Sequence, residues 1–227
     1  MFTFFILSIL FVFVAVSLYV YYKVYVKLEG SSLEALEPHF KPNDKPMFYK
    51  YLDKASVYFE FGSGGSTYQA SIRDNIQHIY SVESDKFWYY KLKDILTKYN
   101  KKITYLFTEM NSKQRTWGAP GPNATQKQIK QYSSQIANIN ESKAKLIDLV
   151  LIDGRFRVAC CLKCFDVIRD DCLIAFDDFF IRPKYHVVLD FYEVVETSKD
   201  KHMVILRKKK DVSMDKDLIR KYELIKD

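Results

Sequence analysis

Five apolar runs, VYFEF (57–61), HIYSV (78–82), ITYLF (103–107), LIDLVLID (146–153) and CLIAFDD (172–178), are each followed by a longer amphipathic stretch. That rhythm constrains the fold more than any other feature of the chain. A strand that is apolar on both faces has to be covered on both faces, and the segments available for this are the helices predicted over 66–76, 85–99, 126–141, 156–168 and 184–193. A last run, HMVILRK (202–208), closes the set and is placed to pair with the VVET just before it. The expectation is an α/β fold, a doubly wound, mostly parallel Rossmann-like sheet with helices on both faces. With 227 residues, 48% of them hydrophobic, the chain can build one full-sized domain around a substantial core.

Ahead of this pattern, residues 2–22 (FTFFILSILFVFVAVSLYVYY) carry no charge. At about 1.5 Å per residue such a run crosses a hydrocarbon core of about 30 Å. It predicts an N-terminal transmembrane anchor over 1–28, a Pro-containing linker over 29–47 and a domain over 48–227. The lipid bilayer is therefore an expected partner. Tyr19, Tyr21, Tyr22 and Tyr25 suit a membrane interface, and Lys23 and Lys27 follow the run with no Lys or Arg before it. This predicts a single-pass membrane protein with a cytosolic body. The sequons at Asn123 and Asn140 would matter only in the lumenal orientation, which stays open.

The net charge of +7 is spread along the chain, apart from RKKK at 207–210. Without a concentrated basic stripe, it argues against a nucleic-acid partner. Cys160, Cys161, Cys164 and Cys172 crowd one short segment, which fits neither a disulfide framework nor paired zinc ligands, so they read as buried reduced thiols.

In a doubly wound sheet, ligands bind beyond the carboxyl ends of the strands. After the first strand come Glu60, Gly62, Ser63, Gly64, Gly65, Ser66 and Thr67, a turn whose glycines let the backbone approach a ligand before a helix begins. After the second comes SVESD, in which Glu83 is placed to accept hydrogen bonds from two ribose hydroxyls. A dinucleotide or S-adenosylmethionine could use this pair, but Glu60 would repel a pyrophosphate and attract an ammonium, which favours the methyl donor.

From these residues the sequence resembles the class I S-adenosylmethionine-dependent methyltransferases. Glu60, Gly62 and Gly64 match that family's acidic, glycine-rich first motif, with Ser66 where a third glycine is common, and Glu83 matches its second acidic residue. A closer resemblance, over about 48–207, is to an uncharacterised bacterial-type group carrying SVESD, WGxP, DGRFRVAC and DDxxxRPxYH; here these are SVESD, WGAP (117–120), DGRFRVAC (153–160) and DDFFIRPKYH (177–186). The resemblance implies a methyltransferase sheet. It places the methionyl tail against Glu60 and the backbone of 62–67, the ribose on Glu83, the adenine beside Ser84 and its amino group near Glu109.

Asp153 ends the fourth strand and Asp177 and Asp178 end the fifth, so three carboxylates are expected on one rim. This resembles in outline the metal-dependent O-methyltransferases, which makes Asp153, Asp177 and Asp178 candidate ligands for a magnesium or calcium ion. Without metal, Asp153, Asp178 or His186 would take the acceptor's proton. Arg155, Arg157 and Arg182 would pair with the aspartates or orient an acidic acceptor, and Trp117 would cap the site or pack on the body. The expected activity is methyl transfer from S-adenosylmethionine to an oxygen of a small molecule, sugar or membrane-proximal glycan. The alternatives are an inactive nucleotide-binding or scaffold module and an NAD(P)-dependent reductase.

Overall fold

The computed structural model describes residues 16, 17, 19, 36–99, 102–113 and 116–225. The apolar run at 2–22, and with it the expected transmembrane helix, lies outside these apart from Val16, Ser17 and Tyr19, which are helical. Among the described residues no helix is long and apolar enough to cross a membrane. The chain divides into two compact units, Met1–Leu36 and Glu37–Asp227.

The second unit is built on seven strands: β1 (Val57–Phe61), β2 (His78–Glu83), β3 (Lys102–Phe107), β4 (Leu149–Ile152), β5 (Leu173–Phe176), β6 (Tyr192–Thr197) and β7 (Val204–Lys208). They lie in the order β3-β2-β1-β4-β5-β7-β6. β1 to β5 run parallel, whereas β7 is antiparallel to both β5 and β6. The order reverses between β1 and β4, so the loops after these two strands diverge at one switch point. That is where such a sheet opens a crevice.

Alternation along the strands divides the core in two. Phe59, Phe61, Val150, Ile152, Ile174 and Phe176 pack into one cluster, and Tyr58, Leu149, Leu151, Ala175 and Ile205 into the other. Period-two alternation sends successive side chains to opposite faces, and here both faces are apolar, as the continuous runs require. Helix α1 (Asp44–Leu52) covers the second cluster with Met47, Phe48 and Leu52. The linker expected through residue 47 is thus part of the packed body from about Glu37 onward: Phe40 joins the second cluster, and Asp44 is itself buried and accepts the Met203 N–H.

Several elements are shorter than their patterns. The helix after β1, α2 (Gly65–Ser71), stops before Asn75, whose side chain donates to the carbonyls of Leu52 and Ala55. The helix expected over 126–141 breaks into α4 (Gln126–Ser134), a 3-10 turn (Gln135–Asn138) and α5 (Glu141–Ala144), the last begun by Asn140 accepting the Ser142 N–H. Pro183–Asp190 is 3-10 rather than α-helical, and the following residues join β6. Helices α3 (Lys86–Leu96) and α6 (Arg157–Cys164) lie close to their expected positions. The four cysteines are buried free thiols.

Candidate functional site

The tips of β1 and β4 touch. Gly62 has φ +96°, and a Cβ there would stand 2.8 Å from the Gly154 Cα, so only glycine fits the approach. Gly62, Ser63 and Gly64 remain half-buried, and a Cβ on Gly64 would meet nothing within 4 Å, so the loop faces open space at this point. Gly65, by contrast, is packed against the backbone of Glu37 and Pro38.

Glu60 lies beneath this loop and is wholly buried. One carboxylate oxygen accepts the hydroxyls of Thr67 and Ser81, the other those of Ser66 and Tyr58. Burial pushes the carboxyl up to about 7 despite those four hydrogen bonds. Glu60 was expected to receive a ligand ammonium directly or through water; the geometry offers no direct contact, since the hydroxyls fill the carboxylate's acceptor positions and no face is exposed. Ser66 and Thr67 are turned to the same carboxylate, so Glu60 fixes the shape of the loop from within.

Glu83 reaches the loop from β2. It accepts the Ser63 N–H at 3.2 Å through Oε2, and the Ser84 and Asp85 N–H groups at 2.6 and 2.7 Å through Oε1. Its carboxyl is also raised to about 7 by burial, against the opposing pull of these amides. Ser63 is held on three sides, by Glu83 at its nitrogen, by the Trp88 indole N–H at its carbonyl (2.8 Å) and by Ser81 at its hydroxyl (2.6 Å). Ser81 bridges Ser63 and Glu60, so one hydrogen-bond chain joins the two glutamates. Sequence reasoning passed over Ser81, although a hydroxyl in the middle of HIYSV was a visible signal.

The WGAP segment lies over this pair. Ser84 Oγ donates to the Gly118 carbonyl at 3.0 Å, and a Cβ on Gly118 would stand 3.3 Å from Glu83 Oε1. Arg155 holds the same segment through the carbonyls of Trp117 (2.8 Å) and Thr116 (3.1 Å). Trp117 itself is 72% exposed and meets the edge of His39. Glu109 accepts the N–H of Asn111 and so shapes its own turn.

The acidic rim comes together as expected but is organised around a resident cation. Arg157, itself buried, reaches Asp153 at 2.9 Å and both Asp177 and Asp178 at 3.5 Å. Burial works against its charge, but Asp153, Tyr185, Asp177 and Asp178 together raise its pKa. Burial raises Asp153 and carries Asp177 up to about 8, and the two carboxyls share a hydrogen bond. Asp178 also binds Arg182 at 2.9 Å. The expectation of a magnesium or calcium ion on Asp153, Asp177 and Asp178 is corrected here: the Arg157 guanidinium sits among them, and among the described residues no group of three or more His, Cys, Asp or Glu side chains is placed to hold a metal. His186 packs against Phe179 and Phe180 with its Nε2 buried and without a hydrogen-bond partner.

No protein-family model matches the sequence, and no curated protein matches it. Solved structures do match. A methyltransferase-like protein from Silicibacter pomeroyi superimposes with a TM-score of 0.72 at 24% identity, covering 83% of this chain and 97% of that one. An O-methyltransferase from Bacillus cereus, solved in complex with SAH, superimposes with a TM-score of 0.51 at 11% identity, covering 82% of this chain and 89% of that one. The likeness establishes the fold, a Rossmann-like α/β methyltransferase fold with a seven-stranded sheet.

Proposed function

We propose that the chain transfers a methyl group from S-adenosylmethionine to an oxygen of a small molecule, a sugar or a membrane-proximal glycan. The observation that carries this reading is the bond from the Ser63 N–H to Glu83 Oε2, which ties the glycine turn after β1 to the acidic end of β2, beside the switch point where such a sheet takes its ligand. The residues fit a sulfonium nucleoside: the loop is open at Gly64, and Oε2 of Glu83 accepts one hydrogen bond and retains capacity for another. Gly62 to Gly64 would hold the methionyl part through backbone groups, Glu83 the ribose and Ser84 the adenine side. Glu60 and Thr67 position the turn. When bound, the donor supplies a methyl already activated by its sulfonium, so the protein has to align the acceptor and remove one proton. An anchor formed by residues 2–22 would keep the domain over 48–227 near a bilayer, with the body on the cytosolic side.

Gly64→Val tests the reading directly. A valine side chain enters space that is open in the structure, so the variant should fold and melt like the wild type yet lose binding of S-adenosylhomocysteine by calorimetry. Retained affinity would remove the glycine turn from the site, and a larger thermal shift with NADH than with S-adenosylhomocysteine would favour the reductase.

A second reading is an inactive module, favoured by the engagement of Asp153 and Asp178 with Arg157 and Arg182. It predicts tight S-adenosylhomocysteine binding with no methylated product from any acceptor pool.

A further inference from the structure

The turn between β6 and β7 brings a histidine that the motifs did not single out to the same rim. Phe176 pairs with Val204, which sets the start of β7 beside the carboxyl end of β5 and delivers His202 next to Asp178. The Phe179 N–H donates to the His202 carbonyl at 2.6 Å and fixes that approach. Two left-handed residues without glycine's freedom shape it: Asp178 at φ +58° and Lys201 at φ +56°. Such conformations persist where the surroundings over-determine them, and they gather at functional sites.

Within this frame the His202 Nδ1 is buried, lacks a hydrogen-bond partner and stands 3.9 Å from Asp178 Oδ1. The other oxygen of Asp178 takes Arg182 at 2.9 Å and Arg157 at 3.5 Å, so Oδ1 is the one turned to the ring. The side chain is 22% exposed, which leaves Nε2 as its accessible nitrogen. Asp178 is the charged group set against the ring. Of the other acids near this turn, Asp200 is bound to Asn43, and Asp44 on α1 accepts the Met203 N–H.

We propose that His202 takes the proton from the acceptor hydroxyl, with Asp178 as the residue that orients its ring; this rests on the methyl-transfer reading above. The acceptor's O–H bond breaks with the proton going to Nε2. The oxygen's electron pair forms the new bond to the methyl carbon, whose bond to sulfur breaks with its pair retained on sulfur. The products are the O-methyl compound, an imidazolium facing Asp178 and an uncharged thioether. A histidine so placed serves an acceptor hydroxyl near neutral pH without a metal. His186 lacks this arrangement because its Nε2 is enclosed by the protein.

The test uses the full chain, methyl-labelled S-adenosylmethionine and a macromolecule-free cell extract as the acceptor pool. His202→Ala is expected to lower label transfer by about 100-fold or more, to bind S-adenosylhomocysteine as the wild type does, and to recover rate on addition of imidazole. Asp178→Asn is expected to lower the rate of label transfer at saturating donor while the KM for S-adenosylmethionine stays that of the wild type, because the ring loses the carboxylate set against its Nδ1. Transfer that survives His202→Ala, absence of imidazole rescue in a variant that still binds S-adenosylhomocysteine, or undiminished transfer in Asp178→Asn would overturn the assignment and leave methyl transfer standing. A wild-type chain that binds S-adenosylhomocysteine but labels nothing would overturn the methyl-transfer reading and this assignment with it.

Discussion

Substituting Glu60 by Gln should flatten the pH dependence of stability, by an amount the structure sets. Burial moves this carboxyl from 4.5 to about 7 in the folded chain. Below pH 4.5 both states hold the proton, and above about 7 both have lost it. Between those limits the folded state keeps a proton that the unfolded state has released, so stability falls as pH rises through the window. The shift corresponds to about 3 kcal/mol, and Glu83, moved over the same range, contributes a similar loss. Together they approach the whole stability of an ordinary domain, roughly 5–15 kcal/mol. Gln keeps the volume, and the four hydroxyls around it can rotate to accept as well as donate. It cannot ionise, so its share of the fall disappears. Urea unfolding of wild type and Glu60→Gln at pH 5 and pH 8 measures this: the variant should lose about 3 kcal/mol less between the two. Asp153 and Asp177 shift in the same direction and enter both curves alike. Equal losses in the two proteins would show that Glu60 is not held as a high-pKa buried carboxyl, and the account of the loop's foundation would fail.

Gly65→Ala should destabilise by about 3 kcal/mol or more, because its Cβ would lie within 2.4 Å of the Glu37 and Pro38 backbone, whereas Gly64→Ala should cost little; urea unfolding distinguishes them. Arg157→Met should cost about 3–5 kcal/mol at pH 8, since it strands Asp153, Asp177 and Asp178 around an empty centre, and less at pH 5, where Asp177, carried up to about 8, holds its proton; urea unfolding at the two pH values measures the difference. Arg155→Ala should speed amide hydrogen exchange in residues 116–121 while leaving the global unfolding midpoint nearly unchanged, because its bonds go to that segment's carbonyls and it is partly exposed.

Much of the site was readable because it depends on order along the chain. The glycine turn must follow the first strand and Glu83 the second, and a parallel sheet brings those ends to one edge whatever the details of packing. The side chains' partners were less readable. Glu60 and Glu83 look alike in sequence, yet Glu60 shares a strand face with Tyr58, beneath α2, and is enclosed by hydroxyls, whereas Glu83 sits at a strand end among backbone amides. The three aspartates suggested a divalent metal ion, and what sits among them is Arg157, whose pairing with them was the competing expectation. His202 looked like the first residue of a strand and instead belongs to the turn before it, facing Asp178.

The sequence by itself determined the layered α/β arrangement, the strands and the end of the sheet at which the candidate site residues gather, because apolar periodicity and the placement of turn residues are local properties that survive any choice of packing. Only the tertiary structure decided which carboxylates are enclosed and which can still accept a hydrogen bond, and what neutralises the rim. Those outcomes depend on hydroxyls, amides and a guanidinium contributed from distant parts of the chain, and the balance between burial and hydrogen bonding exists only once those parts have met.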